Sequence, residues 1–210
     1  MSRLDEARRL AGQRFARFVT DVVVRRPGLW RLFRRPLQRY FSRLAPQWEA
    51  RRRSSHLAPF EAALELVDQP RRALDLGTGT GAGALAIARR FPGCDVVGVD
   101  LASGMVEEAR RLLPDDLADR VRFEQADGAA LPFEDDAFDL IGLANMIPFF
   151  DELARVTAPG GSVVFGFSNG PATPIYVAPE RLRAELGRRG FGDFEETAVG
   201  NGTAFIARKR

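Results

Sequence analysis

The sequence predicts an α/β domain built on a parallel sheet and preceded by a helical N-terminal segment. From Arg72 onward, short apolar runs alternate with helical stretches at the spacing of repeated βαβ units. The first such run, ending Leu74-Asp75-Leu76, passes straight into the glycine-rich turn Gly77-Thr78-Gly79-Thr80-Gly81. Before residue 70, apolar residues instead recur at steps of three and four. The chain therefore divides into a helical segment, residues 1–69, and an α/β domain, residues 70–210. Its 210 residues, 45% hydrophobic and 28% charged, suit one globular domain with an extra segment and exclude disorder, a collagen repeat or a disulfide scaffold.

In the first helix Leu4, Ala7, Ala11, Phe15, Phe18 and Val22 form an apolar face opposite Arg3, Arg8, Arg9, Arg14 and Arg17. Pro27-Gly28 turns the chain. Pro36 is expected in the first turn of a second helix carrying Leu37, Tyr40, Phe41 and Leu44, with Pro46 ending it. A third helix is expected over 57–67. Strands follow at Ala73–Leu76, Asp95–Val99, Val121–Gln125, Phe138–Leu143 and Ser162–Phe167, with helices near 82–91, 103–113 and 149–156. A helix near 179–189 leads to strands Phe191–Val199 and Thr203–Arg208, joined by the hairpin turn Gly200-Asn201-Gly202.

Charge is segregated along the chain. Residues 1–53 carry 15 Arg and 4 acids, whereas residues 54–210 carry 16 basic and 24 acidic residues, so a net charge of +3 hides +11 beside −8. Lys209 is the one lysine, so arginine preference is chain-wide and the segregation carries the information. No apolar run reaches the roughly 18 residues that cross a bilayer, and the N-terminus has no signal-peptide pattern. The single cysteine, Cys94, is expected to pack near a strand start, and cytoplasmic residence follows as the expectation.

The glycine turn lets the backbone approach a nucleotide-like ligand. Gly77, Gly79 and Ala82 also satisfy the dinucleotide pattern G-x-G-x-x-G/A. Asp75 distinguishes the two readings. At the end of the first strand it would repel a pyrophosphate and attract a cation, or it caps the loop through its own hydrogen bonds. Asp100 closes the second strand 19 residues after Gly81, near the spacing at which an acid meets a ribose. Asp127-Gly128 follows the third strand, where an adenine amino group would be held. Ligands bind outside the carboxyl ends of open parallel sheets, which favours one shared site for these three acids.

Together, Asp75-Leu-Gly-Thr-Gly-Thr-Gly81, Val97-Gly-Val-Asp100-Leu-Ala-Ser-Gly-Met105, Ala126-Asp127-Gly-Ala-Ala-Leu-Pro-Phe133, Phe138-Asp-Leu-Ile141 and Leu153-Ala-Arg-Val-Thr-Ala-Pro-Gly-Gly161 resemble a class I S-adenosylmethionine-dependent methyltransferase, in the broad group of the quinone-biosynthesis enzymes. The resemblance covers residues 72–168. It implies a Rossmann-like, doubly wound, seven-stranded sheet of order 3-2-1-4-5-7-6 with the last strand antiparallel. It further implies that Gly77, Thr78 and Gly79 meet the methionine portion of S-adenosyl-L-methionine, Asp100 the ribose, Leu101 and Met105 the adenine faces, and Asp127 with Gly128 the adenine edge.

The sulfonium is already a good leaving group, so the cofactor supplies the reactivity and the protein holds a nucleophile in line. After the fourth strand, Asn145 and Met146 are expected at the methyl-transfer site, Asn145 among the cofactor contacts. Asn145-Met-Ile-Pro148 departs from the Asn-Pro-Pro-Tyr motif of base-methylating enzymes. No catalytic residue and no metal ligand are assigned, and His56, the one histidine, reads as a surface or helix-start residue. Tyr40, Phe41 and Trp48 are expected either to cover the cofactor or simply to pack, with Tyr176 a weaker candidate.

The expected function is methyl transfer from S-adenosylmethionine, giving S-adenosyl-L-homocysteine, to a small-molecule or lipid-like acceptor, with peripheral membrane contact through the basic N-terminus. An RNA methyltransferase using that +11 segment ranks behind it, as does a non-catalytic S-adenosylmethionine-binding protein. A dinucleotide oxidoreductase leaves Asp75 and Asp127 without a role.

Overall fold

A computed structural model describes residues 3–48 and 56–210, with side chains from residue 10 onward. The Arg51-Arg52-Arg53 run and the side chains of Leu4, Ala7, Arg3, Arg8 and Arg9 lie outside the described residues.

Helices α1 (Arg3–Arg25), α2 (Trp30–Leu44) and α3 (Ala58–Leu64) precede strand β1 (Arg72–Leu76). Then follow α4 (Ala82–Arg90), β2 (Asp95–Asp100), α5 (Ser103–Arg111), β3 (Val121–Gln125), β4 (Phe138–Ala144), α6 (Phe150–Val156), β5 (Thr157–Phe167), α7 (Pro179–Gly187), β6 (Phe191–Val199) and β7 (Gly202–Lys209). The strands form a seven-stranded sheet of order β3-β2-β1-β4-β5-β7-β6. β1 to β5 pair in parallel, while β7 runs antiparallel to β5 and β6. This is the order and polarity that the resemblance implies.

Alternation along each strand sends side chains to two cores. Ala73, Val96, Leu140 and Val164 face α3, α4 and α5, burying Phe60, Ala84, Ile87 and Ala109. Leu74, Val97, Ile141 and Val163 face α6 and α7, burying Leu153, Leu182 and Leu186. Cys94 is buried at the entry to β2, and burial pushes its thiol up to about 12. Gly142 and Gly166 lie on the α3 face, where a Cβ would come within 2.6 Å and 2.7 Å of Phe60. The phenyl ring thus rests directly on β4 and β5.

Three expectations are corrected. Pro36 lies inside α2 rather than in its first turn, because the helix already begins at Trp30 after a short turn at Pro27–Leu29. Burial of the Trp30 side chain opposes an interior-proline cost of about 3 kcal/mol. The third helix is shorter than 57–67; Leu66 and Val67 donate to Ala63 and Leu64 in tight turns that end it. β5 begins at Thr157 rather than Ser162. Thr157 pairs with Phe138 and Ser162 with Leu140, so the intervening Ala-Pro-Gly-Gly stretch bulges outward.

The N-terminal helices close over the carboxyl edge of the sheet. Val19, Val23 and Trp30 pack on Ile147 and Phe149. Arg17 of α1 donates to the carbonyls of Pro171 (2.7 Å), Thr173 (3.0 Å) and Tyr176 (3.5 Å) in the segment after β5. α2 passes so close to α5 that a Cβ on Gly104 would sit 2.6 Å from the Ser42 carbonyl. Among the described residues, no helix is long and apolar enough to cross a membrane.

Candidate functional site

A cavity of about 210 Å³ lies at the carboxyl ends of β1, β2 and β4. Asp75, Gly77, Thr78, Gly79, Asp100, Leu101, Met105, Gly128 and Asn145 all line it, so nine of the ten sequence-derived positions converge on one space.

The turn after β1 is held by the neighbouring strand: the amides of Gly77 and Thr78 both donate to the Val99 carbonyl at 2.9 Å. Gly77, Gly79 and Gly81 have φ of +75°, +55° and +94°, a region L side chains avoid, so the glycines here are a steric requirement. A Cβ on Gly77 would meet Met146 Sδ at 2.5 Å, whereas one on Gly79 would meet only Trp48 Nε1, at 3.7 Å.

Asp75 alternates with Leu74 and Leu76 and so points to the α4 side of the sheet. It is 1% exposed, and its Oδ2 accepts the Thr78 hydroxyl at 2.6 Å. The amide of Ala84 also donates to it. A Cβ on Gly83 would lie 2.6 Å from its Oδ1, so glycine there is what admits the carboxylate to the start of α4. Burial raises its pKa to about 6 against the hydrogen bonds that lower it, with Asp100 adding a smaller repulsion. Asp75 thus both caps the turn and lines the cavity.

Asp100 ends β2 with one amide on each oxygen: Gly79 donates to Oδ2 and Ala102 to Oδ1, both at 2.9 Å. Burial pushes its pKa up while these amides pull it down. The Leu101 amide also donates to Asp100, which leaves about one of a carboxylate's roughly four acceptor positions open. Leu101 and Met105 form one wall, Met105 packing with Ala45 and Ala102 against Phe41 and Trp48. Asn145 holds φ +58°, donates its amide to Gly166 (2.8 Å) and accepts the Ser168 amide on Oδ1 (2.9 Å).

Asp127 is the tenth position, and it does not line the cavity. Its Oδ1 accepts the Trp30 indole N–H at 2.7 Å and the Ala129 amide at 3.0 Å, and its Oδ2 faces Arg34 at 3.4 Å. Phe41 and Trp48 line the cavity as covering residues, whereas Tyr40 is exposed and rests edge-on against Phe41. Tyr176 packs on Phe167 instead, and its neighbour Ile175 takes a place in the wall. Trp30, Leu37, His56, Leu57, Ile147 and Ile175 also line it. Sequence reasoning placed Ile147 in the substrate-facing stretch after the fourth strand and gave the other five no site role of their own, since only tertiary packing brings the chain before β1 and the segment after β5 over the sheet edge.

Residues 73–161 match a family model described as a methyltransferase domain. A demethylmenaquinone methyltransferase from Thermus thermophilus is 41% identical over 140 residues, covering 59% of this chain and 62% of that protein. One from Deinococcus radiodurans is 32% identical over 159 residues, covering 70% of this chain and 66% of that protein. The chain thus spans less than two thirds of either relative. In fold it is similar to a Haemonchus contortus phosphoethanolamine N-methyltransferase solved with S-adenosyl-L-methionine, with a TM-score of 0.59 and 19% identity over 73% of this chain and 52% of that one.

Proposed function

We propose, on the premise that residues 73–161 are a class I S-adenosylmethionine-dependent methyltransferase domain, that the chain transfers a methyl group from S-adenosyl-L-methionine to a small-molecule or lipid-like acceptor. The observation that carries this reading is the convergence of Gly77, Gly79, Asp100 and Met105 on one cavity whose acids are Asp75 and Asp100.

The donor set fits that cofactor. One buried and one half-buried carboxylate favour a ligand with an ammonium and a sulfonium over one with a pyrophosphate. The acceptor position that Asp100 keeps beyond its three amides suits a ribose hydroxyl, and the open space over Gly79 suits a close backbone approach. Leu101 and Met105 offer apolar surface to a flat base. When bound, S-adenosylmethionine supplies a methyl group on a sulfonium that leaves readily. The protein's part is to orient the acceptor and exclude water, and Trp30, Ile147 and Ile175 give the cavity an apolar side for that purpose. At about 210 Å³ the cavity is below the roughly 300 Å³ at which ligand pockets begin. Met146, unbranched and adaptable, is the side chain over Gly77 that turns aside on binding.

In this reading residues 1–69 are the cover that selects the acceptor, and the domain begins near residue 70. The same segment makes peripheral contact with an anionic membrane from the cytoplasm. Leu10, Phe15, Phe18, Leu32 and Tyr40 are exposed apolar side chains on α1 and α2, and the exposed Arg14, Arg31, Arg35 and Arg39 lie among them.

Calorimetric titration with S-adenosylhomocysteine and with NADH tests the cofactor. Binding of the first and not the second is expected; a folded sample that binds neither overturns the reading.

A further inference from the structure

Beside the cofactor cavity, a groove of about 600 Å³ runs between the α1–α2 junction and α7. Trp30 is the one described residue that lines both spaces, so its indole is the wall between them. The groove has the size of a ligand pocket, for which the range is roughly 300–1,000 Å³.

Its charge is unlike that of the domain beneath it. Six arginines line the groove against four acids, an excess of two positive charges, whereas residues 54–210 as a whole are net negative. Each of the four acids is already engaged. Asp127 accepts from Trp30 and faces Arg34, Asp151 pairs with Arg189, and Glu152 pairs with Arg155. Glu185 is buried, and the guanidiniums of Arg181, Arg188 and Arg189 all converge on its carboxylate. Across the groove stand Arg25, in the last turn of α1, and Arg31, at the start of α2. Their side chains have no hydrogen-bond or ion-pair partner among the described residues. Cations that face one another from separate elements repel, and a shared anion between them turns that repulsion into a tie.

We propose that this groove binds a phosphate monoester. Such a group carries about 1.5 to 2 negative charges and three strong acceptor oxygens, which matches the excess of two. Guanidinium forks reaching from α1, α2 and α7 suit its several oxygens. A carboxylate, planar and singly charged, would leave half of the excess uncompensated. Bound there, the anion bridges the helical cover to α7 on the far side of Trp30 from the cofactor cavity. None of the six arginines lines that cavity, so the groove can fill whatever the cavity holds.

Two sources carry this chemistry, a soluble phosphate ester and a lipid headgroup, and the test has an arm for each. Calorimetry on the full chain with glycerol 3-phosphate, at physiological salt, reads the first. Flotation with vesicles carrying phosphatidate, compared with vesicles matched in surface charge by phosphatidylglycerol, reads the second. Binding in the first arm or a preference for phosphatidate in the second is expected. Arg25→Gln with Arg31→Gln is expected to lower that affinity or preference by about ten-fold or more. Neither side chain has a polar partner in the fold to lose, so the variant is expected to unfold at the wild-type temperature. Arg35→Gln with Arg39→Gln removes the same charge from α2 outside the groove, and is expected to leave the soluble affinity and the phosphatidate preference within about two-fold, since exposed charges are screened. No binding and no preference in the wild type, or an equal effect of the two double variants, overturns the assignment.

Discussion

Trp30 donates its indole N–H to Asp127 across 2.7 Å, tying the start of α2 to the loop after β3, 97 residues later in the chain. The indole also stacks edge-on against Phe149 with ring centroids 5.1 Å apart. Trp30→Phe keeps an aromatic ring for that stack and removes the donor. A hydrogen bond to a charged acceptor contributes about 1.5–3 kcal/mol, so this variant is expected to lose stability within that range. Asp127→Ala made in the Trp30→Phe background is expected to cost much less than in the wild type. A double-mutant cycle from denaturant unfolding measures the coupling; additive losses would contradict the tie.

Asp100→Ala removes the acceptor shared by the Gly79 and Ala102 amides. S-adenosylhomocysteine binding is expected to weaken by roughly one to two decades, from about 1.5–3 kcal/mol of lost hydrogen bonding. Calorimetry on wild type and variant reads this directly. Equal affinities would place the ribose elsewhere.

Asp75 makes a pH prediction. Its folded pKa, about 6, lies above its ordinary 3.8 because of burial. Between these values the folded state holds a proton that the unfolded state has released, so this residue's contribution to stability falls as pH rises from about 4 to 6 and then levels. Asp75→Asn cannot ionise. Relative to the wild type it is expected to gain on the order of 2–3 kcal/mol between pH 4 and pH 6.5, and the difference between the two unfolding curves isolates the effect from other carboxylates. A pH-independent difference would mean that the Thr78 and Ala84 hydrogen bonds cancel the desolvation, and a difference of opposite slope that they outweigh it.

Two glycines with opposite surroundings test how α2 is seated. A side chain on Gly104 meets the Ser42 backbone at 2.6 Å, whereas one on Gly12, in α1, meets nothing within 4 Å. Gly104→Val is expected to destabilise by about 1–3 kcal/mol and to weaken S-adenosylhomocysteine binding, since Phe41 rides on the displaced helix and Trp48 packs edge-on against it. Gly12→Ala is expected to stabilise by about 0.5–1 kcal/mol. Thermal unfolding compares the pair.

The apolar face read along α1 is not the one the fold buries: of its described members Ala11, Phe15 and Phe18 are exposed and Val22 is half-buried, and the buried residues lie one position further on. Val19 and Val23 are buried, while Phe15 and Phe18 stay exposed, each edge-on to Phe33 with ring centroids 6.5 Å and 6.3 Å away. If this trio inserts at a lipid surface, Phe15→Ser with Phe18→Ser lowers flotation with anionic vesicles several-fold, leaving cofactor binding unchanged. Wild type that floats with no vesicle would remove membrane contact.

The sheet and the glycine turn were legible because strand period, turn chemistry and the acids at strand ends are written within a few residues of one another. Asp75, Gly77 and Asp100 needed no distant partner to be located. Asp127 was placed correctly at an edge of the same sheet, but its carboxylate answers to Trp30 and Arg34, which no local pattern joins to it. Pro36 was misplaced for the same reason, since Trp30, six residues earlier, is held by packing against Phe149. His56 carried a single weak signal, its uniqueness, until α3 set it beside the cavity.

The Arg17 contacts with Pro171, Thr173 and Tyr176 have a consequence for biosynthesis. These partners lie more than 150 residues apart in the chain, so α1 waits for acceptors translated that much later. During that interval the newborn chain displays an arginine-rich, aromatic surface with its eventual seat not yet translated. The sheet must assemble before its own cover can settle, and ribosome-bound intermediates are where a chaperone would meet the naked face of α1.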